Sequence, residues 1–187
     1  NGKDQARKTF EYLRNISFNK AFSSSMHRPY ETAQIILQNK KSLKIKKIDS
    51  LVEISHGLWE GKLEAEIREQ WPILLKNWHD KPEEVIMPEG ESIEDVSERS
   101  VEAFNKICLS QKNNDLTLVV AHDAVNKTLI CNILGMNHSN IWMIKQGNGG
   151  ITVIDLFNDP SKSPVISALN ITTHLGGVID STASGAL

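Results

Sequence analysis

A histidine closes the apolar run Leu118-Val119-Val120-Ala121-His122, and a helical pattern follows at once from Asp123-Ala124-Val125. In a parallel α/β sheet, ligands bind at the carboxyl ends of strands, where helix N-termini offer unpaired N–H groups. An imidazole in that position is placed to meet an anion. Two other stretches carry matching chemistry. Ser23-Ser24-Ser25-Met26-His27-Arg28 joins a hydroxyl run to a guanidinium, whose planar fork can donate two parallel hydrogen bonds to phosphate oxygens. Leu51-Val52-Glu53-Ile54-Ser55-His56-Gly57 sets a carboxyl group and an imidazole in one loop, with Glu60 further along it.

Phosphate chemistry needs these residue types for definite reasons. A phosphate monoester near neutral pH carries close to two negative charges, so its pocket must be cationic and rich in donors. The departing alkoxide needs a proton, which calls for a carboxylic acid beside the bridging oxygen. An imidazole can accept the phosphoryl group covalently. Arg28 is then the phosphate clamp, with Ser25 beside it, and either Glu53 or Glu60 the acid. That acid needs its pKa raised by partial burial or by charge on the substrate. His122, once protonated, is expected to donate to a phosphoryl oxygen. Asp123 adds a negative charge next to the pocket, and His56 lies within reach of a substrate. His27 flanks Arg28, while His79 and His138 sit in polar, solvent-facing surroundings.

The elements that must position these groups read as one α/β domain. A chain of 187 residues with 40% hydrophobic and 24% charged residues can bury one full core. Its net charge of -2 gives no electrostatic case for nucleic acid or an anionic membrane, and no apolar run approaches a membrane span. The lysines from Lys40 to Lys47 lack interleaved aromatics and read as a solvated strand face. Cys108 and Cys131 are widely spaced, which suits a reducing, cytoplasmic setting and offers no metal-ligand pattern. No cofactor is expected.

Along the chain, Asp4 to Leu13 has helical spacing and Lys20 to Ser24 reads as a strand. Pro29 is suited to start a helix. Leu43 to Ile48 reads as an edge-like strand, and Leu63 to Trp78 as a helix interrupted at Pro72. Ser92 with Asp95 resembles a helix N-cap. Leu116 to Ala121 is the strongest strand, followed by a helix from Ala124 to Leu134 that Gly135 ends. Ile151 to Phe157 and Val165 to Ile171 read as two more strands joined by a polar loop at Asp159-Pro160-Ser161. The alternation of strands and helices predicts a three-layer sandwich with a mostly parallel central sheet flanked by helices.

Taken together, the motifs resemble the histidine phosphatase superfamily, the phosphoglycerate mutase-like enzymes. Asn1-Gly2-Lys3-Asp4-Gln5-Ala6 resembles the segment opening that family's first helix, and Ser25-Met26-His27-Arg28 with Glu31-Thr32-Ala33 its serine-x-x-arginine motif. Glu53 to Gly57 with Trp59-Glu60-Gly61 resembles its acid loop, Glu89-Gly90-Glu91-Ser92 its glycine-glutamate-serine turn, and Val120-Ala121-His122 its second histidine motif. The resemblance favours Glu53 over Glu60 as general acid, gives Arg28 and His122 catalytic roles, and places His174 in a motif near the last strand, as a structural residue or one at the rim of the substrate site. At Asp123 the chain departs from the glycine common there.

The family's defining arginine-histidine-glycine triplet, whose histidine accepts the phosphoryl group, does not occur in these residues. The resemblance therefore implies that the first central strand and its histidine stand upstream of Asn1, so that residues 1–175 form an N-terminally incomplete domain that is inactive by itself, with a tail over 176–187. The alternative is a pseudoenzyme that binds a phosphorylated ligand without turnover. The compact acid loop favours a phosphatase over a phosphoglycerate mutase. The chain resembles the C-terminal domain of longer members from photosynthetic bacteria. That implies phosphoserine, α-ribazole phosphate or a sugar phosphate as substrate, and is compatible with a preceding domain and a homodimer.

Overall fold

Three short strands, β1 (Lys20–Ser24), β2 (Ile45–Ile48) and β3 (Thr117–Val120), pair in parallel in the order β2-β1-β3. They belong to a computed structural model that describes residues 2–159 and 162–176. Ala21 lies opposite Ile45 and Leu118, and Phe22 opposite Val119. Because side chains alternate along a strand, these two sets face opposite ways. Ala21, Ile45 and Leu118 pack with Leu13 of α1 (Gly2–Leu13) and Ile36 of α2 (His27–Ile36). Phe22 and Val119 enter the larger core, with Val96 and Ile107 of α5 (Ile93–Leu109) and Val125 and Leu129 of α6 (Asp123–Leu134). Helices thus flank a parallel sheet, as the alternation of elements requires.

The two C-terminal strands do not extend that sheet. β4 (Ile151–Asp155) and β5 (Val165–Ile171) form a separate antiparallel pair with an irregular register, anchored to the main core through Ile166. The expected parallel sheet flanked by helices is present, and the C-terminal strands form their own pair beside it. Strand segments are legible in sequence, but partner choice depends on residues far away in the chain. Among the described residues, β1 is the inner strand of three, and β3 pairs on one side only. The strand is half-buried throughout despite its apolar sequence. At the other edge, Lys46 and Lys47 of β2 are exposed.

Local signals account for most element boundaries. Pro72 occupies the first position of α4 (Pro72–Asp80), directly after α3 (Glu64–Gln70), so it restarts the helix. Helix α2 begins at His27, ahead of Pro29, which falls in the first turn where no N–H partner is lost. Gly135 ends α6 in the left-handed region (φ 63°). Both cysteines are free thiols. No described helix is long and apolar enough to cross a membrane. Of the tail expected over 176–187, residues 177–187 lie outside the described residues, as do Pro160 and Ser161 of the polar loop.

Helix α5 carries a reciprocal cap: Asp95 N–H donates to Ser92 Oγ (3.1 Å), and Ser92 N–H donates to Asp95 Oδ2 (2.8 Å). Replacing Ser92 with alanine should cost about 1 kcal/mol, typical for the loss of a serine cap. A urea titration should show this as a lower midpoint with an unchanged slope.

Candidate active site

The strands β1 and β3 end side by side, with Ser23 opposite Val120. Ser24 and His122 therefore leave the sheet at the same edge. His122 Nε2 lies 2.9 Å from Ser24 Oγ, and Arg28 Nη2 lies 3.3 Å from His122 Nδ1. A guanidinium only donates, so Nδ1 carries the lone pair and Nε2–H donates to the serine. His122 is 4% exposed. Burial, reinforced by the positive charges of Arg28 and Arg99, pulls its pKa down to about 4. The imidazole is thus neutral in the free site, and the expected protonated donor requires a proton gained on anion binding. The positive charge stands on Arg28, an exposed residue in the first turn of α2.

Glu53 approaches from the loop after β2. Its Oε2 accepts from Asp123 N–H (3.3 Å) and lies 3.8 Å from His122 Nδ1, while Oε1 accepts from Ile54 N–H (3.1 Å). Burial raises its pKa, with Asp123 adding to the effect and the backbone hydrogen bonds partly opposing it. A carboxyl group whose pKa is raised beside an anion site is suited to be an acid. Glu60 braces the loop instead, because its Oε1 accepts from Ser55 Oγ (3.3 Å) and His56 N–H (3.2 Å).

The shape of this loop explains two glycines. Gly57 has φ +53°, and a Cβ there would stand 2.1 Å from Pro88 O; one on Gly90 would stand 2.5 Å from Ser55 O. Leu58 N–H donates to Pro88 O and Glu91 N–H to Ser55 O, both at 2.9 Å. The acid loop and the Glu89-Gly90-Glu91-Ser92 turn are therefore in direct backbone contact, which only glycines permit.

The remaining site residues fall out unevenly. Ser24, one residue before the expected Ser25, supplies the hydroxyl at His122. Which serine of the run meets His122 is set by strand parity, which no local pattern in a three-serine run reveals. Asp123 and His56 line a cleft with Glu53, Trp78, Ala124 and Trp142. Asp123 Oδ2 pairs with Lys127 Nζ at 2.8 Å, and that ammonium lies 5.2 Å from the Trp142 ring centre. The charge expected of Asp123 is therefore balanced within α6. His56 meets the edge of Trp78 (6.2 Å between centroids), and burial lowers its pKa.

His174 stands elsewhere. It stacks on Tyr12 at 5.0 Å, and its Nε2 lies 3.1 Å from both Thr9 Oγ1 and Gly149 O. It ties α1 to the turn before β4, a structural role, and makes no hydrogen bond to Arg28, Glu53 or His122. His138 faces Glu94 (3.0 Å) instead of open solvent. Arg99 was not singled out from sequence, yet it donates to the carbonyl oxygen of Glu53 at 3.2 Å. The available signal was a charged residue at the rim of the apolar stripe of α5, between Val96 and Ala103.

A family model described as the histidine phosphatase superfamily (branch 1) matches residues 1–171. Phosphoserine phosphatase 1 of Hydrogenobacter thermophilus is 33% identical over 175 residues, covering 94% of this chain and 81% of that protein. Among solved structures, Bacillus stearothermophilus YhfR matches with a TM-score of 0.85 at 24% identity, covering 92% of this chain and 84% of that one. A phosphoserine phosphatase mutant from Entamoeba histolytica, in complex with phosphoserine, matches with a TM-score of 0.78 at 28% identity, covering 92% and 83%.

The neutral, buried His122 ties stability to pH. Its folded pKa of about 4 lies below the ordinary 6.5. Between those values the unfolded chain binds more protons, so stability rises with pH across the window. The contribution is complete above about pH 6.5 and is lost as pH falls towards 4, by up to roughly 3 kcal/mol. Denaturant midpoints compared near neutrality and in mild acid should show this loss in the wild type. His122→Asn should lose clearly less.

Proposed function

Because the chain belongs to the histidine phosphatase superfamily, branch 1, we propose that its Arg28, Glu53 and His122 serve hydrolysis of a small phosphate monoester through a phosphohistidine. The observation that carries this reading is their convergence where β1 and β3 end: Arg28 Nη2 and Glu53 Oε2 both lie within 3.8 Å of His122 Nδ1. The Arg28 fork takes phosphoryl oxygens. An arriving dianion offsets the guanidinium charge and draws a proton to His122, which then donates to the transferring group.

The accepting imidazole is a second one, since a His122 that is protonated and donates to the phosphoryl group has no lone pair with which to attack. The family resemblance expects it in the arginine-histidine-glycine segment ahead of Asn1. Its nitrogen forms the N–P bond as the bridging P–O bond breaks, and Glu53 passes its proton to the leaving oxygen. The resulting carboxylate then takes a proton from the water that attacks the phosphohistidine, releasing phosphate and restoring both groups. No metal is needed for either step. The cleft beside Glu53, with its balanced Asp123–Lys127 pair and aromatic walls, suits a small alcohol as leaving group. Similarity to phosphoserine phosphatase 1 makes O-phosphoserine the first substrate to test.

The test uses the protein with everything its gene encodes ahead of Asn1. Phosphate release from O-phosphoserine, α-ribazole phosphate and sugar phosphates is expected to persist in EDTA, with an acid-labile phosphoenzyme. Glu53→Gln should lose on the order of a hundredfold or more in turnover. Binding of phosphate or vanadate without turnover of any ester would overturn the reading in favour of a binding protein.

A further inference from the structure

Arg99 commits all five of its N–H donors. Nε and one Nη2 hydrogen reach the two oxygens of Glu91 (2.7 and 2.9 Å), and the Nη1 hydrogens reach Ser50 O and Val52 O (3.0 and 2.8 Å). The remaining Nη2 hydrogen reaches Glu53 O at 3.2 Å. Glu91 Oε2 also accepts from Ser55 N–H at 2.9 Å. Peptide groups on both sides of Ile54 are thereby held by one ion pair whose members are mostly shielded from solvent. Residues 52–56 belong to no helix or strand, so their order has to come from contacts such as these.

We infer that the Arg99–Glu91 pair is the positioning device of the acid: it fixes the backbone from which the Glu53 carboxyl reaches the leaving oxygen. The inference rests on the reading of Glu53 as that acid. Proton transfer requires hydrogen-bond reach, about 2.6–3.2 Å between heavy atoms. A displacement of about 1 Å can cost on the order of a hundredfold. The pair is suited to this role because its charges cancel. An unpaired guanidinium at the same place would favour the ionised form of Glu53, whereas Arg99 with Glu91 supplies geometry without net charge. Lysine, with three donors radiating from a single nitrogen, cannot make the same five contacts.

The dependence on leaving group separates positioning from mere structural support. An alkyl alcohol needs a proton to depart, whereas dinitrophenolate departs without one. The full-length protein and its Arg99→Lys, Glu91→Gln and Glu53→Gln variants would be compared by kcat/KM on an alkyl phosphate and on dinitrophenyl phosphate. The expected result is a loss in Arg99→Lys about tenfold greater on the alkyl ester, a change in the same direction in Glu91→Gln, and the greatest selectivity in Glu53→Gln. Equal losses on both esters in Arg99→Lys and Glu91→Gln, with Glu53→Gln still selective, overturn the inference and leave the acid assignment standing. A Glu53→Gln variant without selectivity overturns the acid assignment and the inference together. Glu91→Gln keeps the Arg99 contacts to Ser50, Val52 and Glu53, so it decides the matter if Arg99→Lys fails to fold.

Discussion

The parallel register of β1 against β3 is the constraint on which the site depends. Ser23 stands opposite Val120, and the strands end one residue later on β1 and two residues before His122 on the other side. Side chains alternate along a strand, so a slip of one residue would send the whole set to the other face. With the observed register, the Ser24 hydroxyl and the His122 imidazole meet at 2.9 Å, and α2 and α6 both start beside them. The two apolar layers enforce that register, because Ala21 with Leu118 and Phe22 with Val119 must each enter their own core.

The electrostatics divide between an open cation and a compensated one. Arg28 is exposed, where it can meet an anion, and its only strong neighbour at the site is a neutral ring. Arg99 is shielded and paired with Glu91, and its charge still helps to lower the His122 pKa. Lys127 is likewise balanced by Asp123. Among the described residues the site therefore shows Arg28 as its uncommitted positive group to a phosphate, while the acid beside it is raised in pKa by burial. A site with three free cations would hold an anion more tightly but would ionise the acid, and the pairing avoids that conflict.

Much of this was legible in the sequence where a local rule decides. The strands Lys20–Ser24 and Val165–Ile171 stand where composition and alternation put them, and Pro72 and Ser92 mark helix starts by their own geometry. Arg28, Glu53 and His122 could be named because each lies in a short motif, Arg28 after a serine run and Glu53 and His122 after apolar ones, with the family resemblance choosing Glu53 over Glu60. What escaped was non-local. The separation of β4 and β5 into their own sheet depends on pairing, the choice of Ser24 over Ser25 on strand parity, and the remoteness of His174 on the path of α1. Arg99 was hidden because its partners are mostly backbone carbonyls nearly fifty residues away, which leave no trace in side-chain pattern. The charge state of His122 in the free site is likewise set by distant residues. Proximity to an anion site suggests an imidazolium, but burial beside two guanidinium groups decides otherwise.

The two edges of the parallel sheet are chemically unlike, and this gives the sheet a direction of growth. At β2 the exposed Lys46 and Lys47 would have to be brought against any incoming chain, a penalty that discourages addition there. At β3 the Thr117–Val120 backbone is apolar in sequence and pairs on one side only among the described residues. A further strand is therefore better received beside β3, next to His122, than beside the lysines of β2.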